Sequence, residues 1–113
     1  MRDTKIKKEI RMKKLSAYIK PFKLEAVISR IPEKGVFEVL VSEVRGYGRQ
    51  KGHLEQYKGD EYELTFLPKA RVEVYCEEEA VAEVEKALLE GARTGRIGDG
   101  KIVVSNLDQT EQF

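Results

Sequence analysis

Little in this chain could carry covalent chemistry. It has one cysteine, Cys76, one histidine, His53, and no tryptophan. A lone cysteine excludes an intramolecular disulfide and fits a reducing compartment, so the expected location is cytoplasmic. No cluster of cysteine and histidine has metal-ligand spacing. His53 lies in a charged, glycine-rich stretch, where it reads as a surface residue rather than a base. Cys76 ends a strand pattern on its apolar side and reads as a small buried hydrophobe. No apolar run reaches the ~20 residues of a membrane span, so direct membrane insertion is not expected. The basic stretch Met1–Arg11 has no apolar segment behind it and is not a secretory signal. An excess of one charge is also lacking, with 21 Lys and Arg against 20 Asp and Glu. That balance offers no general attraction for DNA or RNA, so no nucleic acid is expected as a partner.

What is present suits one small domain: 113 residues, 41% of them apolar. Residues 1–11 show no clean period and read as a flexible charged extension. From Lys13 the chain alternates, with Leu15, Ala17 and Ile19 on one side, as in a half-buried strand. Pro21 ends that strand. Lys23 to Ile31 reads as a short helix with Leu24, Val27, Ile28 and Ile31 on one face, stopped by Pro32 and Gly35. Phe37, Val39 and Val41 begin a second strand. The stretch from Gly46 to about Glu61 has neither period and reads as a long loop, a feature usually functional in compact domains. Leu64–Cys76 is a third strand, with Ala70, Val72, Val74 and Cys76 facing one way. Glu77, Glu78 and Glu79 open a second helix, favoured there by its dipole, with Ala80, Val81, Val84, Ala87 and Leu88 as its stripe and Gly91 near its end. Arg93–Gly100 is a second glycine-rich loop, and Lys101–Ser105 a last strand. The order β-α-β-β-α-β predicts an α+β, ferredoxin-like sandwich with both helices on one face of an antiparallel sheet. Tyr18, Leu40 and Tyr75 on the other face point to burial in a symmetric oligomer.

Both loops combine glycines, which let backbone N–H groups approach a ligand, with cations suited to phosphate. The first reads Gly46-Tyr47-Gly48-Arg49-Gln50-Lys51-Gly52 and is followed by no helix, so it is not a dinucleotide fingerprint. By itself it is equally consistent with a solvated hairpin tip. The second reads Gly95-Arg96-Ile97-Gly98-Asp99-Gly100-Lys101. It meets the GxxxxGK spacing, but Ile102 stands where a magnesium-binding hydroxyl belongs and a strand follows, which excludes a P-loop. Two anion cradles without a nucleophile or positioned base suggest sensing rather than turnover, so the chain is not expected to be an enzyme.

At these loops the sequence resembles the PII signal-transduction family, trimeric regulators of nitrogen metabolism. The resemblance is carried by Lys20–Leu24, Glu43–His53, Tyr57–Tyr62, Phe66–Lys69 and Thr94–Lys101, and spans Met12 to about Ser105. It implies a homotrimer with ATP or ADP bound in the clefts between subunits. The matching nucleotide-binding positions are Gly46, Gly48, Arg49, Gln50, Gly98, Asp99, Gly100 and Lys101, with Glu73 reaching in from the neighbouring subunit. The family also binds 2-oxoglutarate with magnesium–ATP. Gln50, Lys51, Lys69 and Gly98 match that site, Gln50 beside the metal and Lys69 as counter-charge to a carboxylate. Residues from about Lys51 to Glu61 match the mobile effector loop, or T-loop, that docks on partners. Those partners include ammonium transporters, N-acetylglutamate kinase and enzymes that adjust glutamine synthetase. Tyr62 matches a tyrosine that some members uridylylate, while Asp60 replaces a serine that others phosphorylate.

Two departures bear on ligand choice. Residues 106–113 form a tail without the arginines that the family places near the phosphates; either the sequence stops short of that segment or this member lacks those contacts, and their loss would weaken binding and reduce the preference for ATP over ADP. Glu38-Val39-Leu40 replaces the Gly-Met-Thr that frames the adenine. The alternative reading is therefore a diverged PII-like paralogue that senses another small anion, such as bicarbonate or AMP, for another transporter.

Overall fold

The computed structural model describes residues 11–49 and 64–110, with side chains for 11–46 and 67–110. Its elements follow from the patterns above. Strand β1 spans Met12–Ile19 and is followed by a 3-10 turn, Pro21–Lys23, and helix α1, Leu24–Arg30. Strands β2 (Val36–Arg49) and β3 (Leu64–Glu77) precede a second 3-10 turn, Glu78–Ala80, helix α2 (Val81–Ala92) and strand β4 (Gly100–Asn106). The sheet order is β2-β3-β1-β4, with every neighbouring pair antiparallel. This is the ferredoxin-like arrangement, with the two central strands contributing most of the core.

Leu15, Ala17, Ile19, Ala70, Val72, Val74 and Cys76 are buried beneath Val27 of α1 and Val84 and Leu88 of α2. Alternation alone separates this face from the open one, where Tyr18 and Tyr75 are half-buried and Leu40 and Val103 are exposed. Cys76 is fully buried, and burial, reinforced by the neighbouring Glu77 charge, pushes its thiol pKa up.

Several boundaries differ from the sequence reading, each for a local reason. Helix α1 ends at Arg30 because Ile31 precedes Pro32 and is extended (φ −70°, ψ 125°). Ile28 is exposed, since so short a helix covers only a narrow strip of sheet. Phe37 sits at a bulge between Val36, opposite Cys76, and Glu38, opposite Tyr75, and is 53% exposed rather than inward. Glu77 belongs to β3, its N–H bonded to the Gly35 carbonyl at 2.9 Å, so only Glu78 and Glu79 open the helical segment. Strand β4 gains Gly100 and Asn106, paired with Ile19 and Lys13.

Gly91 lies near the end of α2, as expected, and has a packing role there. It lies inside α2, where a Cβ would stand 2.7 Å from Val27 Cα and 3.0 Å from the Ala26 carbonyl. The missing side chain is what lets the two helices pack at this point. The largest revision concerns β2, which continues through the expected loop start: Gly46, Tyr47, Gly48 and Arg49 pair with Leu67, Phe66, Thr65 and Leu64. Two glycines suppress a strand signal locally, but cross-strand pairing with β3 overrides that preference. The remainder of the expected loop, with Gln50, Lys51, Asp60 and Tyr62, lies outside the described residues.

Candidate functional site

The open face of the sheet, where β1, β2 and β3 meet the loop after α2, forms a cleft of about 490 Å³. Tyr18, Val44, Arg45, Gly46, Lys69 and Arg71 line it on the sheet side, and Gly98, Gly100 and Lys101 on the loop side. Four of these residues are cationic and none is acidic. Lys69 comes from β3 and donates to the Gly98 carbonyl at 3.3 Å, linking sheet to loop. Arg71 is held by its Nε–H to the Ser42 hydroxyl at 3.2 Å. The Lys101 ammonium lies 5.3 Å from the centre of the Tyr18 ring, a cation–π arrangement that holds it at the rim.

The glycines of the second loop have backbone reasons to be there. Gly95 and Gly98 both have φ +87°, a region that side chains disfavour. Gly100 is constrained by closeness as well: a Cβ would lie 2.3 Å from the Tyr18 carbonyl oxygen. β4 therefore enters the sheet hard against β1, which places Lys101 over Tyr18.

Asp99 faces inward within the loop. Its carboxylate accepts the Thr94 N–H at 2.6 Å, the Gly95 N–H at 2.9 Å and the Thr94 hydroxyl, and pairs with the Lys20 ammonium at 3.1 Å. Led by the Thr94 hydroxyl and N–H, these donors hold its pKa well below the usual carboxylate range. Asp99 also borders a second groove of about 500 Å³, on the helix side, with Arg93, Arg96 and Leu88.

Of the residues expected to bind ligand, Gly46, Lys69, Gly98, Gly100 and Lys101 share the cleft. Asp99 is adjacent through the loop. Gly48 and Arg49 continue β2 beside Gly46. Glu73 lies apart, on the open face opposite Ser16 and Leu40, with Lys14 Nζ 3.7 Å from its carboxylate. Gln50, Lys51 and Tyr62 are outside the described residues. Arg45, Arg71 and Tyr18 also line the cleft, although none of them is among the ligand-binding residues expected from the sequence, Tyr18 being expected only on the open face. Arg71 was within reach of that reading, since it stands two residues beyond Lys69 on the same strand face. No group of three or more potential metal ligands occurs among the described residues, and no helix there is long and apolar enough to cross a membrane.

The arrangement can neutralise a compact polyanion: backbone close enough to approach oxygen atoms, and several cations at different depths. Comparison with known proteins bears on which one. The family model described as nitrogen regulatory protein P-II matches residues 12–113. A protein of that name from Mesorhizobium japonicum is 50% identical over 98 residues, covering 87% of this chain and 88% of its own. One from Rhizobium meliloti is 51% identical over the same coverage. The crystal structure of Arabidopsis thaliana PII bound to citrate superposes with a TM-score of 0.64 at 32% identity, covering 86% of this chain and 78% of that one.

Proposed function

The chain belongs to the nitrogen regulatory protein P-II family, a family of signalling regulators rather than enzymes, and we propose that it senses cellular nitrogen and energy state by binding ATP or ADP, and 2-oxoglutarate with magnesium–ATP, in clefts between the subunits of a cytoplasmic homotrimer. The observation that carries this reading is the cleft itself, lined by Arg45, Lys69, Arg71 and Lys101 with no carboxylate among the described residues that line it. A triphosphate beside a dicarboxylate needs several cations and a bridging metal. Gly46, Gly48, Arg49, Gln50, Gly98, Gly100 and Lys101 would receive the nucleotide. Asp99 serves that set through the loop it organises. Gln50 would take the magnesium, and Lys51, Lys69 and Gly98 the 2-oxoglutarate.

Glu73 lies apart from the cleft of its own chain. That separation fits a site completed by a neighbouring copy, and the exposed Leu40 and Val103 on the open face support the same assembly. Ligand state would then be passed through the segment from about Lys51 to Glu61 to a partner: an ammonium transporter, N-acetylglutamate kinase or an enzyme acting on glutamine synthetase. Tyr62 is the proposed modification position.

Calorimetric titration of 2-oxoglutarate, with and without magnesium–ATP, tests the reading. Binding should require magnesium–ATP and be lost in Lys69→Ala. A protein that binds nucleotide but never 2-oxoglutarate would support the diverged-paralogue reading instead. That alternative draws on Leu40, an apolar side chain exposed directly opposite Glu73, where the family pattern has threonine.

A further inference from the structure

Lys20 opens one of the segments that carry the family resemblance, yet it lines neither the cationic cleft nor the groove beside Asp99. Its ammonium is spent on Asp99, 79 positions away in the chain, and both side chains are largely covered, 24% and 18% exposed. The same carboxylate gathers both Thr94 donors and the Gly95 N–H. Residues 94 and 95 are thus drawn onto residue 99, and the closed loop is fastened to the end of β1. Gly98 and Gly100 flank Asp99 on either side, and both line the cleft, with Lys101 immediately after.

The charge arrangement matters as much as the shape. A free carboxylate one residue from the cleft would repel an incoming anion or capture Lys101. Paired with Lys20 and three further donors, it does neither, and Lys69 and Lys101 remain directed at the cleft.

We propose that Lys20, Thr94 and Asp99 are positioning residues: the Asp99 carboxylate clamps residues 94–99 to the end of β1, and Lys20 thereby sets the affinity of the cleft for phosphate-bearing ligands without touching them. This rests on the reading of the cleft as a nucleotide site.

The test is calorimetric titration of magnesium–ATP into the full chain, at a temperature well below unfolding. There a role in stability alone leaves the Kd of the folded protein unchanged. Asp99→Asn keeps the shape but replaces a charged acceptor of four donors, and should weaken ATP about tenfold. Lys20→Met and Thr94→Val should each weaken it about threefold. Lys20→Arg and Thr94→Ser, which restore the donors, should lie within about twofold of the native chain. Native-like affinity in Lys20→Met and Thr94→Val overturns the clamp while leaving the nucleotide reading intact. Equal losses in Lys20→Met and Lys20→Arg overturn it also, because the ion pair is then not what matters. If Asp99→Asn fails to fold, the Lys20 and Thr94 pairs decide the question. Absence of ATP binding to the native chain overturns the nucleotide reading and the clamp with it.

Discussion

Gly100→Ala is the sharpest single test of how β4 is held against β1. The added Cβ would lie 2.3 Å from the Tyr18 carbonyl oxygen, 3.4 Å from its carbonyl carbon and 3.5 Å from Ile19 Cα. Real Cβ atoms essentially never come within 3.0 Å, so the strands must part by at least about 0.7 Å. The obstacle is backbone in a central strand, which cannot rotate away as a flexible side chain would. The φ of +150° adds strain for any residue with a Cβ. Backbone strain of this kind costs about 1–3 kcal/mol, and overpacking a further ~1–3 kcal/mol. A total of about 2–6 kcal/mol is a large share of the ~5–15 kcal/mol that holds an ordinary domain together.

Gly95→Ala and Gly98→Ala provide the control. Both glycines have φ +87°, but nothing lies within 4 Å of the Cβ each would gain. They should lose only the strain contribution, about 1–3 kcal/mol. The assay is urea unfolding followed by circular dichroism, at one fixed protein concentration because assembly and folding are linked. The expected order of midpoints is native, then Gly95→Ala and Gly98→Ala together, then Gly100→Ala. A Gly100→Ala protein within about 0.5 kcal/mol of native, the usual range of a harmless surface change, would refute the close-approach argument. So would equal losses at Gly98 and Gly100.

Three further expectations concern other parts of the molecule. Gly91→Ala should destabilise by about 1–3 kcal/mol, although alanine gains about 1 kcal/mol of helix propensity over glycine, because its Cβ meets Val27 backbone at 2.7 Å; a urea midpoint at or above native would show that the helices part freely. The pKa of Asp99 is depressed in the folded chain, so its contribution is present at neutral pH and lost as pH falls from about 4 toward the lowered value; the stability gap between native and Asp99→Asn should shrink below about pH 4, and a gap unchanged down to pH 2 would contradict the assignment. Cys76, buried and with its thiol pKa raised, should react with a thiol reagent at pH 8 only as fast as the fold opens, and at once in urea; full labelling of native protein within the mixing time would place it elsewhere.

The residues that were legible in sequence are those whose placement depends on local period. Leu15, Ala17 and Ile19 alternate because a strand has two faces, and so do Ala70, Val72, Val74 and Cys76; all seven are buried. Val84, Ala87 and Leu88 follow the helical period and are buried as well. What stayed hidden depends on partners distant in the chain. The continuation of β2 through Gly46 and Gly48 is decided by β3 across the ladder. Gly91 falls near the helix end as its position in the sequence suggests, but only the crossing of α1 reveals its packing role. Arg45 became part of the cleft through the pairing of β2 with β3, and Lys20 met Asp99 only once β4 was laid beside β1.

The second loop illustrates why a glycine-and-cation pattern is ambiguous until geometry is known. Read as sequence, three glycines within six residues suggested backbone left bare for a ligand. In the structure Gly95 and Gly98 serve positive φ, and Gly100 serves the approach of β4 to Tyr18. The glycines therefore do not by themselves argue for a ligand. The charges do, because the turn does not require them. Closing the loop consumes Asp99, Thr94 and Lys20, whereas Lys101 is held over Tyr18 and Lys69 reaches across to Gly98. Nothing in the architecture of a helix-to-strand turn asks for two further cations there, with Arg45 and Arg71 alongside. An anionic ligand in the cleft would meet all four, and that is why the cleft, rather than the glycine motif, carries the functional reading.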